Sequence, residues 1–205
     1  MKQHLFEMVI CILAAITLMI VHELAKILVY MGLQKKAGNK KKYHHSIWAV
    51  YRYIDPIGVI LSVTSQVVLS KPFMFRIQNK KYNRILGCTG FLVLFLSFFG
   101  SIYAIKMHAF GVSGMNIVAN AGFFNRAGGL YIQYMALLSV GMFLTNLFPV
   151  STFDMGLLIA GFSSKKYLGI IKMDSVIKLI YVLALLVDLF YFSAYKIFQL
   201  TLSVI

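Results

Sequence analysis

The sequence predicts an all-α polytopic membrane protein, with about four transmembrane helices and a membrane-embedded hairpin. Three observations carry this. The 205-residue chain is 60% hydrophobic and only 13% charged, whereas a soluble domain is nearer half apolar and a quarter charged. The apolar residues form blocks long enough for a hydrocarbon core, which takes about 20 residues of helix. The net charge of +14 is concentrated in short runs beside those blocks, in "QKKAGNKKK", "KPFMFRIQNKKYNR" and "SSKKYLGIIK".

The first span is read at about 8 to 33. A secretory signal peptide is the competing reading of "MKQHLFEMVICILAAITLMI", but the apolar pattern continues to Leu33 and no small-x-small cleavage site follows. Further spans are read at 85 to 106, 130 to 148 and 178 to 201. Between the first two lies "DPIGVILSVTSQVVLS", which is short for a crossing. The basic runs on either side of it both belong in the cytoplasm by the positive-inside rule. The segment is therefore expected to dip in and return, as short strands or a half-helix. The loop 107 to 129, poor in charge, then lies outside. The whole chain, 1 to 205, reads as one integral domain of the cell membrane with its basic loops cytoplasmic. Basic runs placed this way meet anionic lipid head groups, and they do not form a nucleic-acid surface. Cys11 and Cys88 both lie in apolar segments and carry no information on redox compartment.

Glu23, Asp154 and Asp188 fall in or beside apolar spans. A carboxylate at membrane depth costs about 2.5 to 3.5 kcal/mol on insertion scales, so such residues are functional candidates. His22 and Lys26 are four apart and share a helix face, with Glu23 one step round. This is the spacing of His-Glu-x-x-His, in which two imidazoles hold zinc and the Glu activates its water, with Lys in place of the second His. On that spacing alone, a simple Glu23–Lys26 pair is the competing reading. In "TNLFPVSTFDMG", Asn146 closes the third span and Pro149 stops its helix. The chain beyond can fold back and offer Asp154 to the first span. A plain helix end with an Asp cap is the alternative.

Taken together, these residues resemble the site-2 protease family, the intramembrane zinc metalloproteases. That family joins a His-Glu-x-x-His helix to an Asn-x-x-Pro-x-x-x-x-Asp turn. Here Asn146, Pro149 and Asp154 keep that spacing, with Met155 ahead of Gly156. "YRYIDPIGVILSV" and "SKPFMFRIQNKKYNR" resemble segments of the small, minimal-domain bacterial members, and the likeness covers about 8 to 165. The resemblance implies a zinc site of His22 and Asp154, with Lys26 where a third ligand belongs, and Glu23 as general base if the protein is active. It also implies that Asn146 and Pro149 help receive a transmembrane segment of a substrate or partner protein. Two departures count against proteolysis: a protonated Lys26 repels a metal, and the family's Ala-Gly-Pro signature reads Cys88-Thr89-Gly90-Phe91.

The leading reading is thus a family member with a degenerate zinc site, a weak or inactive binder of transmembrane segments. The Lys26 ammonium is expected between Glu23 and Asp154, where the family holds its metal. An active zinc endopeptidase with a substitute ligand, such as neutral Lys26 or a loop histidine (His44 or His45), is the first alternative. A small transporter or channel component using Glu23, Lys26 and Asp188 as an intramembrane charge relay is the second. Asp188 is expected to meet Lys26 or a hydroxyl of a neighbouring span.

Overall fold

In the computed structural model of the protein, the residues described are 2–36, 49–73, 79–113, 116–117 and 122–204. The basic stretch 37–48, with His44 and His45, lies outside them. Seven helices account for nearly all of the described chain: α1 (Lys2–Lys36), α2 (Pro56–Thr64), α3 (Lys80–Lys106), α4 (Phe123–Asn146), α5 (Asp154–Phe162), α6 (Ser164–Leu186) and α7 (Leu189–Val204). Two residue pairs, Val112–Ser113 and Asn116–Ile117, form a minimal antiparallel ladder before α4.

Helices α1, α3 and α4 are each long and apolar enough to cross a membrane. Their ends follow from local chemistry. α1 closes on Lys35 and Lys36, cations that suit the negative end of a helix dipole. The side chain of Asn79 accepts from Lys81 N at 2.9 Å and starts α3. α4 begins at Phe123, earlier than the hydropathy block at 130, because "FFNRAGG" continues the helix outward with Phe123 and Phe124 exposed.

The short segment between α1 and α3 turns back. Asp55 accepts from Ile57 N at 3.0 Å and Pro56 occupies the first turn of α2, the favoured way to open a helix. After nine residues, about 14 Å at 1.5 Å per residue, the chain reverses at Gln66 (φ 50°). It then runs back extended, with Val67 and Val68 fully buried. Ile54 pairs with Ser70 in an antiparallel bridge, and Lys71 N donates to Tyr53 O at 3.1 Å. The two ends of the segment therefore meet, as expected of a hairpin that dips and returns. Gly58 allows this closure, since a Cβ there would lie 2.2 Å from Leu69 O.

The core is made where α1, the hairpin, α3 and α4 meet. Ala14, Ala15, Leu18 and Met19 of α1 pack with Val68, Leu94, Leu138 and Met142; small residues let helices approach closely where water supplies no driving force. A second cluster joins Phe98, Ile102 and Ile105 of α3 to Val140 of α4 and Ala194 and Phe198 of α7. Large apolar side chains such as Leu28, Leu92 and Leu200 face outward, as in a bundle surrounded by lipid.

The span read at 178 to 201 is corrected by the structure. It is not one straight helix: α6 ends at Leu186, α7 starts at Leu189, and the pair is bent by 61°. The bend sits at Asp188, whose φ of 52° is left-handed, a conformation that Asp tolerates better than most residues. Among the described residues there are thus three candidate spans, and four if the bent pair counts as one.

Candidate functional site: a buried charge network

Three elements build the site. α1 supplies His22, Glu23 and Lys26, which its 3.6-residue period places on the side facing α5 and the hairpin. The start of α5, just past the turn after α4, supplies Asp154. The hairpin supplies Ser70 and the backbone N–H of Phe73.

The turn is held from within. Pro149 prevents α4 from continuing, and Phe153 N donates back to Val150 O at 3.1 Å. Asn146 Nδ2 donates to Met142 O at 3.1 Å, while its Oδ1 accepts from Asp154 N at 3.4 Å, at the first residue of α5. From outside, Asp174 of α6 accepts from Ser151 N at 3.2 Å, and the Tyr167 hydroxyl donates to Ser151 O at 3.3 Å. The Asp154 carboxylate then rests directly on the backbone of α3 at Gly90. A Cβ there would fall 2.1 Å from Asp154 Oδ2, so only glycine leaves room.

Lys26 Nζ lies 2.7 Å from Glu23 Oε1 and 3.1 Å from Asp154 Oδ1. The ammonium is held between the two carboxylates, the position expected for it from the sequence. His22 Nε2 lies 2.8 Å from Asp154 Oδ2, and its Nδ1 lies 3.1 Å from Glu23 Oε1 and 3.2 Å from Ser70 Oγ. Ser70 Oγ donates to Glu23 Oε1 at 2.7 Å, and Phe73 N donates to Glu23 Oε2 at 3.1 Å. All four ionisable residues are sealed, with at most 3% of their surface exposed.

The hydrogen-bond inventory bears on how many protons this arrangement holds. With the Ser70 hydroxyl donating to Glu23 Oε1, its nearer partner, each ring nitrogen of His22 faces a carboxylate oxygen. A neutral imidazole has one N–H and would set its other lone pair against an oxygen; an imidazolium donates on both sides. Two carboxylates against one ammonium leave one negative charge, and the imidazolium cancels it. The doubly donating form therefore satisfies both the geometry and the need for neutrality at depth.

The donor set does not fit the zinc site that the resemblance implies. An ammonium occupies the space between the acids, and His22 Nε2 and Asp154 Oδ2 are bonded to each other. Among the described residues there is no group of three or more His, Cys, Asp or Glu side chains placed to hold a metal ion. Glu23 Oε1 faces the Lys26 ammonium and the Ser70 hydroxyl, and its Oε2 accepts from Phe73 N.

The remaining expected residues lie at the margins. Asn146 is buried and both ends of its amide serve the turn. Pro149 lines a shallow cavity of about 330 Å³ with Leu147, Phe148 and Phe190. Asp188 is exposed at the α6–α7 bend, while the ammonium of Lys26 is engaged by Glu23 and Asp154. Ser70 and Phe73 N escaped the sequence reading. The only signal for them is a hydroxyl closing the apolar run just before "KPF".

No family model matches this chain, and comparison with curated proteins and with solved structures likewise returned no match.

Proposed function

We propose that the His22–Glu23–Lys26–Asp154 network is an intramembrane charge relay, and that the protein is a small component of a membrane transporter or channel. The observation that carries this reading is the network itself. Four ionisable side chains, none more than 3% exposed, form a continuous hydrogen-bonded chain from α5 through α1 to the hairpin. Intramembrane ionisable groups are expensive, and where they are kept they commonly mark ion pathways and proton relays. His22 is the mobile element of such a relay, since it can pass its extra proton to either carboxylate it touches. Asp188, at the bend, is outside this chain, so the relay rests on α1, α5 and the hairpin. The test is proton or cation flux into liposomes containing the purified protein. Flux is expected from wild type and lost in Glu23→Gln and Lys26→Met. Wild-type vesicles as tight as empty ones sink the reading.

A second reading is favoured by one specific feature. Asp154 and Lys26 meet across 128 residues of sequence, by way of the Asn146–Pro149 turn, which is the pairing that the resemblance to site-2 proteases implies. On this reading the protein is a non-cleaving relative of those enzymes that receives a transmembrane segment of another membrane protein. Lys26 would supply the fixed positive charge that a metal provides elsewhere, and zinc would enter only if a substitute ligand displaced it. Photo-crosslinking from Phe148 and Leu147, which line the cavity beside Pro149, is expected to trap an apolar segment of a second protein. Crosslinks to lipid alone would remove this reading and leave the relay.

A further inference from the structure

The residues that line a second groove are a separate matter from the charge network. A cavity of about 470 Å³ runs along the outer face of α3, lined by Lys81, Arg84, Ile85, Cys88, Thr89 and Leu92. Its two ends differ in chemistry. One end carries two cations. The rest is apolar, and the Thr89 hydroxyl is already spent on Ile85 O at 2.8 Å. Ile85, Cys88 and Leu92 are exposed and recur at helical spacing, so they make a stripe parallel to the axis of α3.

The cationic end is both fixed and uncompensated. The Arg84 guanidinium lies 5.4 Å from the Phe162 ring centroid, which fixes it at the mouth while leaving its N–H edge free to donate. Among the described residues, neither Lys81 nor Arg84 takes part in an ion pair. The acidic residues are all engaged or placed elsewhere: Glu23 and Asp154 in the network, Asp174 with Lys178, Asp55 capping α2, Glu7 on α1 and Asp188 at the bend. The same end of the bundle gathers more positive charge. Gly161 packs so closely on α3 that a Cβ would lie 2.7 Å from Arg84 N and 2.9 Å from Lys80 O. That contact seats the end of α5 against the first turn of α3, where Lys80 lies beside Lys81.

We propose that this groove is a binding site for one anionic phospholipid, with its phosphate on Lys81 and Arg84 and an acyl chain along Ile85, Cys88 and Leu92. A planar guanidinium and an ammonium suit phosphate oxygens, and the apolar stripe excludes a ligand that is only an anion. The charge asymmetry selects an anionic over a zwitterionic head group.

The test uses the purified, delipidated full chain, titrated with phosphatidylglycerol or phosphatidylcholine of identical acyl chains and read by native mass spectrometry. One equivalent of phosphatidylglycerol is expected to bind about thirtyfold more tightly than phosphatidylcholine, given roughly 1 kcal/mol for each of the two basic residues facing an anionic lipid. Lys81→Gln with Arg84→Gln should abolish that preference, and Lys35→Gln with Lys36→Gln, on α1, should retain it. Leu92→Trp, which fills the apolar end and leaves both cations in place, should weaken binding of phosphatidylglycerol. Bound lipid should also slow alkylation of the exposed Cys88. Equal affinity for the two lipids overturns the proposal, as does a preference that survives loss of Lys81 and Arg84 or falls equally with Lys35 and Lys36. Full displacement by millimolar inorganic phosphate would overturn it too, because the site would then take a free anion.

Discussion

Removing the Lys26 ammonium is the sharpest perturbation of the network. Lys26 is 3% exposed, and its ammonium lies between Glu23 and Asp154, at 2.7 and 3.1 Å. Lys26→Ala leaves two carboxylates buried against a single imidazolium. Truncating one partner of a buried ion pair costs about 3–5 kcal/mol, chiefly because the survivor keeps its desolvation penalty. Here the survivor has other donors, Ser70 and Phe73 N among them, so the lower end of that range is expected, about 3 kcal/mol. At roughly 2–4 °C per kcal/mol for a domain of this size, the midpoint should fall by about 6–12 °C. Thermal unfolding in detergent, followed by circular dichroism, reads this directly. The double variant Lys26→Met with Glu23→Gln separates charge from packing. It leaves the His22–Asp154 pair intact and removes one charge of each sign, so it should recover at least half of the loss. A Lys26→Ala protein within 0.5 kcal/mol of wild type would show that the ammonium does not neutralise the acids, and the reasoning would fail.

Three further outcomes follow from the same geometry. Gly90→Ala sets a methyl 2.1 Å from Asp154 Oδ2 and should cost about 1–3 kcal/mol through displacement of the carboxylate; an unchanged unfolding midpoint would contradict the close packing. Wild type should hold well under one zinc per chain after dialysis against chelator, and Lys26→His should gain metal, both by elemental analysis; one tightly held zinc in wild type, or no gain in the variant, would count against Lys26 as the occupant of a metal's place. Cysteines introduced at Lys36 and Lys80 should label from the same side of the membrane and one at Phe124 from the other, since the hairpin between the first two returns to its starting side; labelling of Lys36→Cys and Lys80→Cys from opposite sides would refute that path.

Much of this architecture could be read in advance, and the reasons differ by element. The long helices were legible because lipid demands length and apolarity, and α1, α3 and α4 show both. A returning segment, whose ends meet at Ile54 and Ser70, was anticipated from charge, because the positive-inside rule assigns the two basic runs flanking 56–70 to one side. The Glu23–Lys26 pair was legible from helical spacing, while the meeting of Lys26 with Asp154 was an expectation from the resemblance to the site-2 proteases, with the Pro149 turn allowing the chain to fold back. The partners from the hairpin were not, because Ser70 acts through a contact across 47 residues and Phe73 acts through its backbone, which no residue type betrays. The α6–α7 bend was hidden for a related reason. Hydropathy is continuous through "ALLVDLFYF", and only a left-handed φ at Asp188 breaks the helix. For Asn146 the resemblance implies a part in receiving a segment, and its bonds to Met142 O and Asp154 N within its own turn are a feature that spacing does not reveal.

The distance in sequence between the two sides of the network also bears on how the chain is made. His22, Glu23 and Lys26 leave the ribosome 128 residues (counted from Lys26) before Asp154, roughly 6–26 seconds at 5–20 residues per second. During that interval α1 must partition into the bilayer without its distant acid. The compensation between opposite charges within the helix comes from the Glu23–Lys26 pair, three residues apart on one face. The same contact that serves the finished network therefore lets the first helix insert as a nearly neutral segment. Asp154, arriving with α5, meets an ammonium and an imidazole already seated at depth.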